Sequence, residues 1–177
     1  MRNGVSLAGA NLAYLPFSYG TKMLDHVSLL PWQKDVLIQM FRGEKKTLIP
    51  PPGIERGGGK TYMGAILAYM FITWAALDWA KVIVVDPTGR LRSYLETIIN
   101  DSPMKDVFNR RVHKIWIEGY EDTKFVLFMR SVSFNRLMGF FGNLLFILDG
   151  DGRPYPIWAE KIIAASISSD NCYVYRT

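Results

Sequence analysis

The sequence contains little cysteine and little histidine. Among its 177 residues there is one cysteine, Cys172, and there are two histidines, His26 and His113, far apart along the chain. One cysteine cannot form a disulfide within the chain, and this set cannot supply the Cys/His spacing of a structural zinc site. Disulfide-stabilised and zinc-binding classes are therefore excluded, and a reducing compartment such as the cytoplasm is expected.

Long apolar runs are also lacking. One uncharged and mostly apolar stretch, from Tyr62 to Leu77, covers 16 residues, which is shorter than the roughly 20 residues that span a bilayer. The N-terminus has no basic region followed by an apolar run, so no signal peptide is expected. We therefore predict no membrane segment.

The bulk composition is that of a globular protein with a basic surplus. Hydrophobic residues make up 49% of the chain, too many for a disordered protein, and the formal net charge is +5. Basic charge favours polyanionic partners such as nucleic acid, although a solvated surplus of lysine and arginine explains it equally well. The length fits one domain, which we place at residues 29–177 after an irregular arm at residues 1–28.

Strand and helix patterns alternate along the predicted domain. Helical spacing is found over residues 30–41, from residue 60 onwards, over 91–100 and over 157–166. Apolar or β-branched runs predict strands at 47–49, 81–86, 112–118, 123–130, 144–148 and 172–175. This alternation indicates an α/β fold with a mostly parallel sheet and helices on both faces.

The segment from Gly53 to Thr61, which reads GIERGGGKT, has the properties of a phosphate-binding loop. Glycines such as Gly57, Gly58 and Gly59 let backbone N–H groups point at phosphates, and the following helix adds its positive dipole end. Lys60 would reach the β- and γ-phosphates of ATP, and the Thr61 hydroxyl would bind Mg²⁺.

The spacing of this segment departs from the general pattern, because Gly53 stands one position too far from Gly59. The alternative is a glycine-rich turn that opens a buried helix. The strand–loop–helix context favours the phosphate-binding interpretation, and with it an α/β P-loop NTPase of the RecA/ASCE-like kind.

A second motif is the apolar strand that ends at Asp149. An aspartate at this place holds Mg²⁺ in P-loop proteins. Many such ATPases have a glutamate next, which activates the attacking water, but here Gly150 and then Asp151 follow. Either Asp151 serves as the base, or a glutamate comes from elsewhere, or hydrolysis is slow. An ordinary turn at Asp151 is the alternative.

Three further positions are candidates for ligand contacts. Gln33 has an amide that can pair with adenine, unless it is a solvent-facing helix residue. The loop after residues 81–86 carries Thr88, Arg90 and Arg92, which could contact a nucleic-acid backbone or form a solvated turn. Arg136 is a candidate γ-phosphate sensor or arginine finger, unless it is an ordinary surface arginine; the sequence does not separate it from Arg130 and Arg153.

Together these segments resemble the ATPase domain of viral terminase large subunits, the DNA-packaging motors, over about residues 29–177. They are more distantly similar to the first motor domain of superfamily 2 helicases. In the terminase family a glutamine precedes the loop, as Gln33 does here, and the loop reads arginine, two variable residues and Gly-Lys-Thr. Arg56 to Thr61 is similar to this form, which does not need the first glycine of the general pattern.

The resemblance implies further roles. Arg56 would sense or stabilise the γ-phosphate, and the segments at residues 85–88 and 136–139 look like the second motif and the Arg-Gly segment of the family. The strand at 172–177 is similar to its coupling motif. We thus expect an ATP- and Mg²⁺-dependent motor on double-stranded DNA, in the host cytoplasm if the protein is viral. A homo-oligomeric ring or a partner chain would supply an arginine in trans.

Two features depart from the family pattern. Gly150 stands where the catalytic glutamate is expected, and 177 residues leave no room for the nuclease domain of a terminase or the second motor domain of a helicase. The chain would therefore be a lone ATPase core, a fragment, or a small viral protein. A helicase-like remodelling ATPase and a non-catalytic nucleotide-binding assembly protein remain alternatives.

Overall fold

The fold is built on one seven-stranded β-sheet. The computed structural model describes residues 24, 26–43, 45–55, 57–74, 77, 79–130, 142–150 and 172–177, together with residues 157, 160, 161, 163 and 164. Its strands are β1 (Thr47–Leu48), β2 (Ala80–Val85), β3 (Phe108–Arg111), β4 (Lys114–Ile117), β5 (Lys124–Met129), β6 (Asn143–Leu148) and β7 (Cys172–Arg176).

Three α-helices have described bounds: α1 (Pro31–Phe41), α2 (Lys60–Thr73) and α3 (Arg90–Asp101). Pro31 is the first residue of α1, where its fixed φ suits a helix and its missing N–H is no loss. A short 3₁₀ turn at Lys105–Val107 follows α3. The described residues between 157 and 164 are also helical. Each predicted helix is thereby confirmed over its described residues.

The strands lie in the order β1-β7-β6-β2-β5-β4-β3. The pairs β1–β7, β7–β6, β6–β2 and β2–β5 are parallel, whereas β5–β4 and β4–β3 are antiparallel. The prediction of a mixed α/β fold with a mostly parallel sheet is confirmed. The antiparallel strands form one end of the sheet, away from β6 and β7.

Strand β3 is the element that the sequence analysis missed. Its four residues read FNRR, and only Phe108 is buried while the other three are exposed. It lies at the edge of the sheet, where charged side chains are usual because they prevent pairing with other chains. Without an apolar alternation, the segment has no strand signal in the sequence.

Two groups of buried side chains cover the two faces of the sheet. The larger group contains α2, α3 and α1 with the strand residues Val82 and Val84, and the smaller group contains Ile83, Val85 and the helical residue Ile163. Successive residues of β2 thus belong to opposite groups, as the alternation of side chains along a strand requires. The position of Ile163 agrees with the prediction of helices on both faces.

Helix α2 lies at the centre of the larger group. Every residue from Met63 to Thr73 is buried, which explains the uncharged sequence of this segment. No described helix is both long and apolar enough to cross a membrane.

Part of the predicted N-terminal arm also packs against the domain. Leu24 and Val27 are buried in the larger group, and the His26 ring Nε2 lies 3.0 Å from the Ile98 carbonyl oxygen. The described residues of the segment therefore belong to the folded domain. The rest of the predicted arm, residues 1–23 and 25, lies outside the described residues.

Candidate functional site

The candidate site lies at the carboxyl ends of the parallel strands. Strand β2 leads into α3 on one face of the sheet, whereas β6 leads towards the helical residues around Ile163 on the other face. Neighbouring strands whose connections leave on opposite faces create a crevice, and ligands of open α/β sheets bind there. Asp86, Asp149 and Thr177 follow β2, β6 and β7 at this edge.

The glycine loop, residues 53–59, leads from β1 into α2. Gly57 and Gly59 have φ values of 88° and 83°, which other residues rarely adopt. No side chain of the described chain caps the N-terminus of α2. Its first N–H groups have no partner within the helix and carry the positive end of its dipole, which makes this helix end suitable for an anion.

A close approach of α2 to the sheet brings Thr61 next to Asp149. A Cβ atom on Gly64 would lie 3.1 Å from a methyl carbon of Ile147 in β6 and 2.8 Å from one of Leu91. Glycine therefore allows α2 to lie directly on β6. One turn earlier, the Thr61 hydroxyl donates a hydrogen bond of 3.0 Å to Oδ1 of Asp149.

The Asp149 carboxylate lies in a partly buried place next to another acid. Burial, the largest effect, raises its pKa, and so does the negative charge of Asp86. Hydrogen bonds from Thr177 and Thr61 and the positive charge of Arg90 lower the pKa, but the net result is a raised pKa. A nearby cation would stabilise the charged form of a carboxylate whose pKa is raised in this way. The pair of Thr61 and Asp149 offers oxygen ligands of the kind that Mg²⁺ prefers.

We predict that Asp149→Asn stabilises the protein without ligand at neutral pH. Because the folded-state pKa of Asp149 is raised, its contribution to stability is fully present below the unfolded-state pKa and is lost as pH rises through the folded-state value. The amide of asparagine does not ionise, so the variant does not lose stability as pH rises. The melting temperature should therefore rise on the order of 3 °C, equivalent to about 1 kcal/mol in the free energy of unfolding.

Thermal unfolding at neutral and acidic pH measures this effect. The gain should disappear at acidic pH, and Asp106→Asn, at an exposed acid in the 3₁₀ turn, should show no gain at either pH. A lower melting temperature of Asp149→Asn at neutral pH would contradict this account of the carboxylate.

Asp86 forms the start of α3. Its carboxylate is buried at 4% exposure. Oδ1 accepts hydrogen bonds from the Thr88 N–H, the Thr88 hydroxyl and the Gly89 N–H, and Oδ2 accepts one from the Leu91 N–H. These bonds fix the loop between β2 and α3 and place a negative charge at a helix N-terminus.

We expect Asp86→Ala to destabilise the fold by about 3 kcal/mol, since a buried charged acceptor with several donors is lost. The melting temperature should fall by roughly 10 °C. Thermal unfolding tests this prediction. The control is Asp101→Ala, at the C-terminal end of the same helix. A negative charge there interacts unfavourably with the helix dipole, so its removal should not lower the melting temperature. Equal melting temperatures of Asp86→Ala and wild type would show that the cap is dispensable.

Gln33 lies in the first turn of α1, against the glycine loop. It is buried at 1% exposure, so it is not the solvent-facing residue of the alternative interpretation. Its Oε1 accepts a hydrogen bond of 2.9 Å from the Leu30 N–H, and its Nε2 donates one of 3.2 Å to the Gly59 carbonyl. The amide connects the start of α1 to the glycine loop, and its pairing with adenine stays a prediction.

A cavity of about 550 Å³ lies between the glycine loop and the strand ends. Its lining includes predicted site residues, namely Gly57, Gly59, Lys60, Thr61 and Asp149, with Gly150 and Thr177 beside them. Gly58 is not among these residues; its N–H donates to the Glu55 carbonyl at 3.1 Å. Tyr62 and Tyr94, which the sequence analysis did not propose for the site, also line the cavity with Arg90.

Several predicted residues cannot be placed at this cavity. Arg56 and Asp151 lie outside the described residues, as do Arg136 and Arg153. Arg130 is described and exposed. Their predicted roles stay predictions.

All three candidates for nucleic-acid contact make hydrogen bonds within the chain. The Thr88 hydroxyl donates to Asp86, and the Arg92 guanidinium pairs with Glu96 at 2.9 Å and donates to the Val112 carbonyl. The Arg90 Nε donates to the Thr88 hydroxyl at 3.4 Å, and Arg90 also lines the cavity.

The donor set of the cavity fits a magnesium–nucleotide complex. Within the described ranges no group of three or more His, Cys, Asp or Glu residues could enclose a metal ion. Mg²⁺ typically uses one or two protein oxygens and takes its other ligands from water and substrate phosphates. Thr61 and Asp149 would supply these protein oxygens, and the glycine loop with Lys60 would supply donors for phosphates.

The described fold is a terminase-like α/β fold. It is similar to the large terminase of bacteriophage HK97, with a TM-score of 0.60 at 16% sequence identity. The similarity covers 85% of this chain and 33% of that protein, so the chain spans about a third of the phage protein. No protein-family model and no curated protein matches the sequence.

Proposed function

We propose that this chain is an ATP-binding and ATP-hydrolysing domain of a viral DNA-packaging motor, and that it couples Mg²⁺–ATP hydrolysis to movement along double-stranded DNA. The contact between the Thr61 hydroxyl and the Asp149 carboxylate, at 3.0 Å beside the glycine loop, is the observation that carries the proposal. The terminase-like fold supports the packaging assignment. Two oxygen-bearing side chains of the kind that Mg²⁺ prefers, distant in sequence, meet beside a helix N-terminus, and this supports a nucleotide site.

In the proposed site, backbone N–H groups of Gly57, Gly59 and the first turn of α2 bind the phosphates. Lys60 adds a positive charge where negative charge accumulates as the γ-phosphoryl group leaves. Thr61 and Asp149 hold Mg²⁺, which when bound neutralises charge on the β- and γ-phosphates. The Tyr175 hydroxyl donates to the Lys60 carbonyl at 2.9 Å and so fixes the start of α2.

The weakest part of the site is the activation of water. Asp149 is the only residue with a carboxylate side chain among the described residues that line the cavity. Asp86 is close to it, but its oxygens accept four hydrogen bonds from the loop before α3. Gly150 cannot act as a base. We therefore propose slow basal hydrolysis, in which Asp151 or a residue of another subunit orients the water.

The proposed polymer partner is double-stranded DNA, in keeping with the basic net charge of +5. A homo-oligomeric ring or a partner chain would provide an arginine in trans. Two alternatives are kept. Gly150 favours a non-catalytic nucleotide-binding assembly protein, and a helicase-like ATPase would separate strands rather than translocate on intact duplex.

Steady-state ATP hydrolysis by the purified chain, with and without double-stranded DNA, tests the proposal. Turnover that DNA stimulates and that requires Mg²⁺ is the expected result. Saturable ATP binding without turnover in either condition would favour the non-catalytic alternative. Stimulation by single-stranded DNA with strand separation would favour the helicase-like alternative.

A further inference from the structure

Two tyrosines form an aromatic pair in the wall of the cavity. The ring centroids of Tyr62 and Tyr94 are 5.4 Å apart, and their planes are at 82°. Tyr94 is 41% exposed. In an edge-to-face pair each ring keeps at least one face that its partner does not cover, so aromatic surface is available to a flat ligand.

The pair lies next to the proposed phosphate site. Tyr62 directly follows Thr61 in the first turn of α2. Tyr94 lies four residues after Arg90 in α3, and residues at this spacing share one face of a helix, about 6 Å apart along its axis. Arg90 is close enough to Asp149 to lower its pKa. Along α3, the cavity wall therefore changes from a charged side chain near Asp149 to an aromatic side chain one turn away.

A nucleoside triphosphate needs such a change of surface, because its phosphates are anionic and its base is flat and aromatic. The residue that the sequence analysis assigned to the base, Gln33, is buried and bonded at both ends of its amide to Leu30 and Gly59. The oxygen and the nitrogen of this amide therefore already have backbone partners in the described arrangement, and the side chain is buried. The tyrosine pair offers aromatic surface on the cavity wall instead.

We propose that the base of the nucleotide stacks on Tyr94, with Tyr62 holding that ring in place. This inference rests on the proposed nucleotide-binding function. Stacking is tolerant of base identity because every base has a π-face. The site would then bind ATP and GTP with similar affinity, in contrast to a site that reads adenine through a glutamine amide.

Equilibrium binding of ATP and of inorganic tripolyphosphate, both with Mg²⁺, tests the proposal. Tyr94→Leu should weaken ATP binding about ten-fold, the size expected for loss of one base–aromatic stack, while leaving tripolyphosphate binding unchanged. Tyr94→Phe keeps the ring and should keep the affinity for ATP. Because Tyr94 is partly exposed, Tyr94→Leu is expected to fold, and an unchanged melting temperature without ligand verifies this.

Other outcomes would overturn the proposal in distinguishable ways. Unchanged ATP affinity in Tyr94→Leu would refute stacking. The proposed function would still stand in that case if Lys60→Ala abolished binding of both ATP and tripolyphosphate. An equal loss of affinity for ATP and for tripolyphosphate in Tyr94→Leu would show that Tyr94 has only a structural role. Weaker binding of double-stranded DNA with normal ATP affinity would place the ring at the polymer. Failure of the wild type to bind either phosphate ligand would remove the proposed function itself.

Discussion

Replacing Lys60 by alanine is expected to lower the turnover number for ATP by at least about 100-fold, the effect of removing one preorganised group that stabilises transition-state charge. Lys60 is the first residue of α2 and lines the cavity with Thr61 and Asp149. The Tyr175 hydroxyl donates a hydrogen bond to the backbone carbonyl of Lys60, and the alanine variant retains this carbonyl. The fold should therefore be preserved while the charge at the γ-phosphate is lost.

Lys105→Ala is the matched control for this substitution. It removes the same charge from an exposed position in the 3₁₀ turn, away from the cavity, and should have the turnover of the wild type. Steady-state rates with saturating Mg²⁺–ATP and DNA provide the comparison. Equal rates for Lys60→Ala and Lys105→Ala would mean that this loop is not the site of hydrolysis.

Replacing Gly150 by glutamate is expected to raise the rate of ATP hydrolysis by about 100-fold, since a positioned general base contributes at least this factor. Gly150 lines the cavity directly after Asp149. Unlike Gly57 and Gly59, it does not have a positive φ, so a side chain is compatible with its backbone. The neighbouring Asp149 would raise the pKa of the new carboxyl and thereby make it a better base near neutral pH.

Gly150→Gln controls for the size of the new side chain, because the amide fills similar space and cannot accept the proton of the attacking water. Single-turnover hydrolysis with excess protein separates this chemical step from product release. A gain in the glutamate variant alone would show that wild-type turnover is limited by the missing base. Identical rates in the two variants would mean that water is activated from another residue or another subunit.

The fold was predictable where elements are buried or strongly periodic. The β-branched run of β2 and the apolar run of β6 gave correct strands because parallel strands are covered on both faces. The edge strand β3 was missed because three of its four residues are exposed. The N-terminal contacts of Leu24 and Val27 were also missed, since isolated apolar residues in a short segment carry no period.

Parts of the candidate site could be predicted because they are continuous in sequence. The glycine loop and Lys60 are one motif, and Asp149 is marked by the strand before it. Their meeting depends on the sheet order and on Gly64, whose contact with β6 has no sequence signal. Sequence reasoning thus identified Thr61 and Asp149 separately, and the structure shows their contact.

The roles of Gln33, Asp86 and Tyr94 depend on tertiary contacts. The amide of Gln33 bonds to a loop 26 residues away along the chain. Asp86 was predicted as the last residue of a strand, whereas it follows β2 and its oxygens stabilise the start of α3. Tyr94 could have been noticed from its spacing of four residues from Arg90, but only the packing of α3 against α2 brings it to the cavity.

The most direct test of the proposed nucleotide site is calorimetric titration of the purified chain with ATP, with and without Mg²⁺, repeated with Asp149→Asn. We predict saturable binding at one site per chain in the wild type, with an affinity that Mg²⁺ increases and with no such increase in the variant. Absence of binding in the wild type, or the same Mg²⁺ dependence in both proteins, would contradict the claim that Thr61 and Asp149 form a magnesium–nucleotide site.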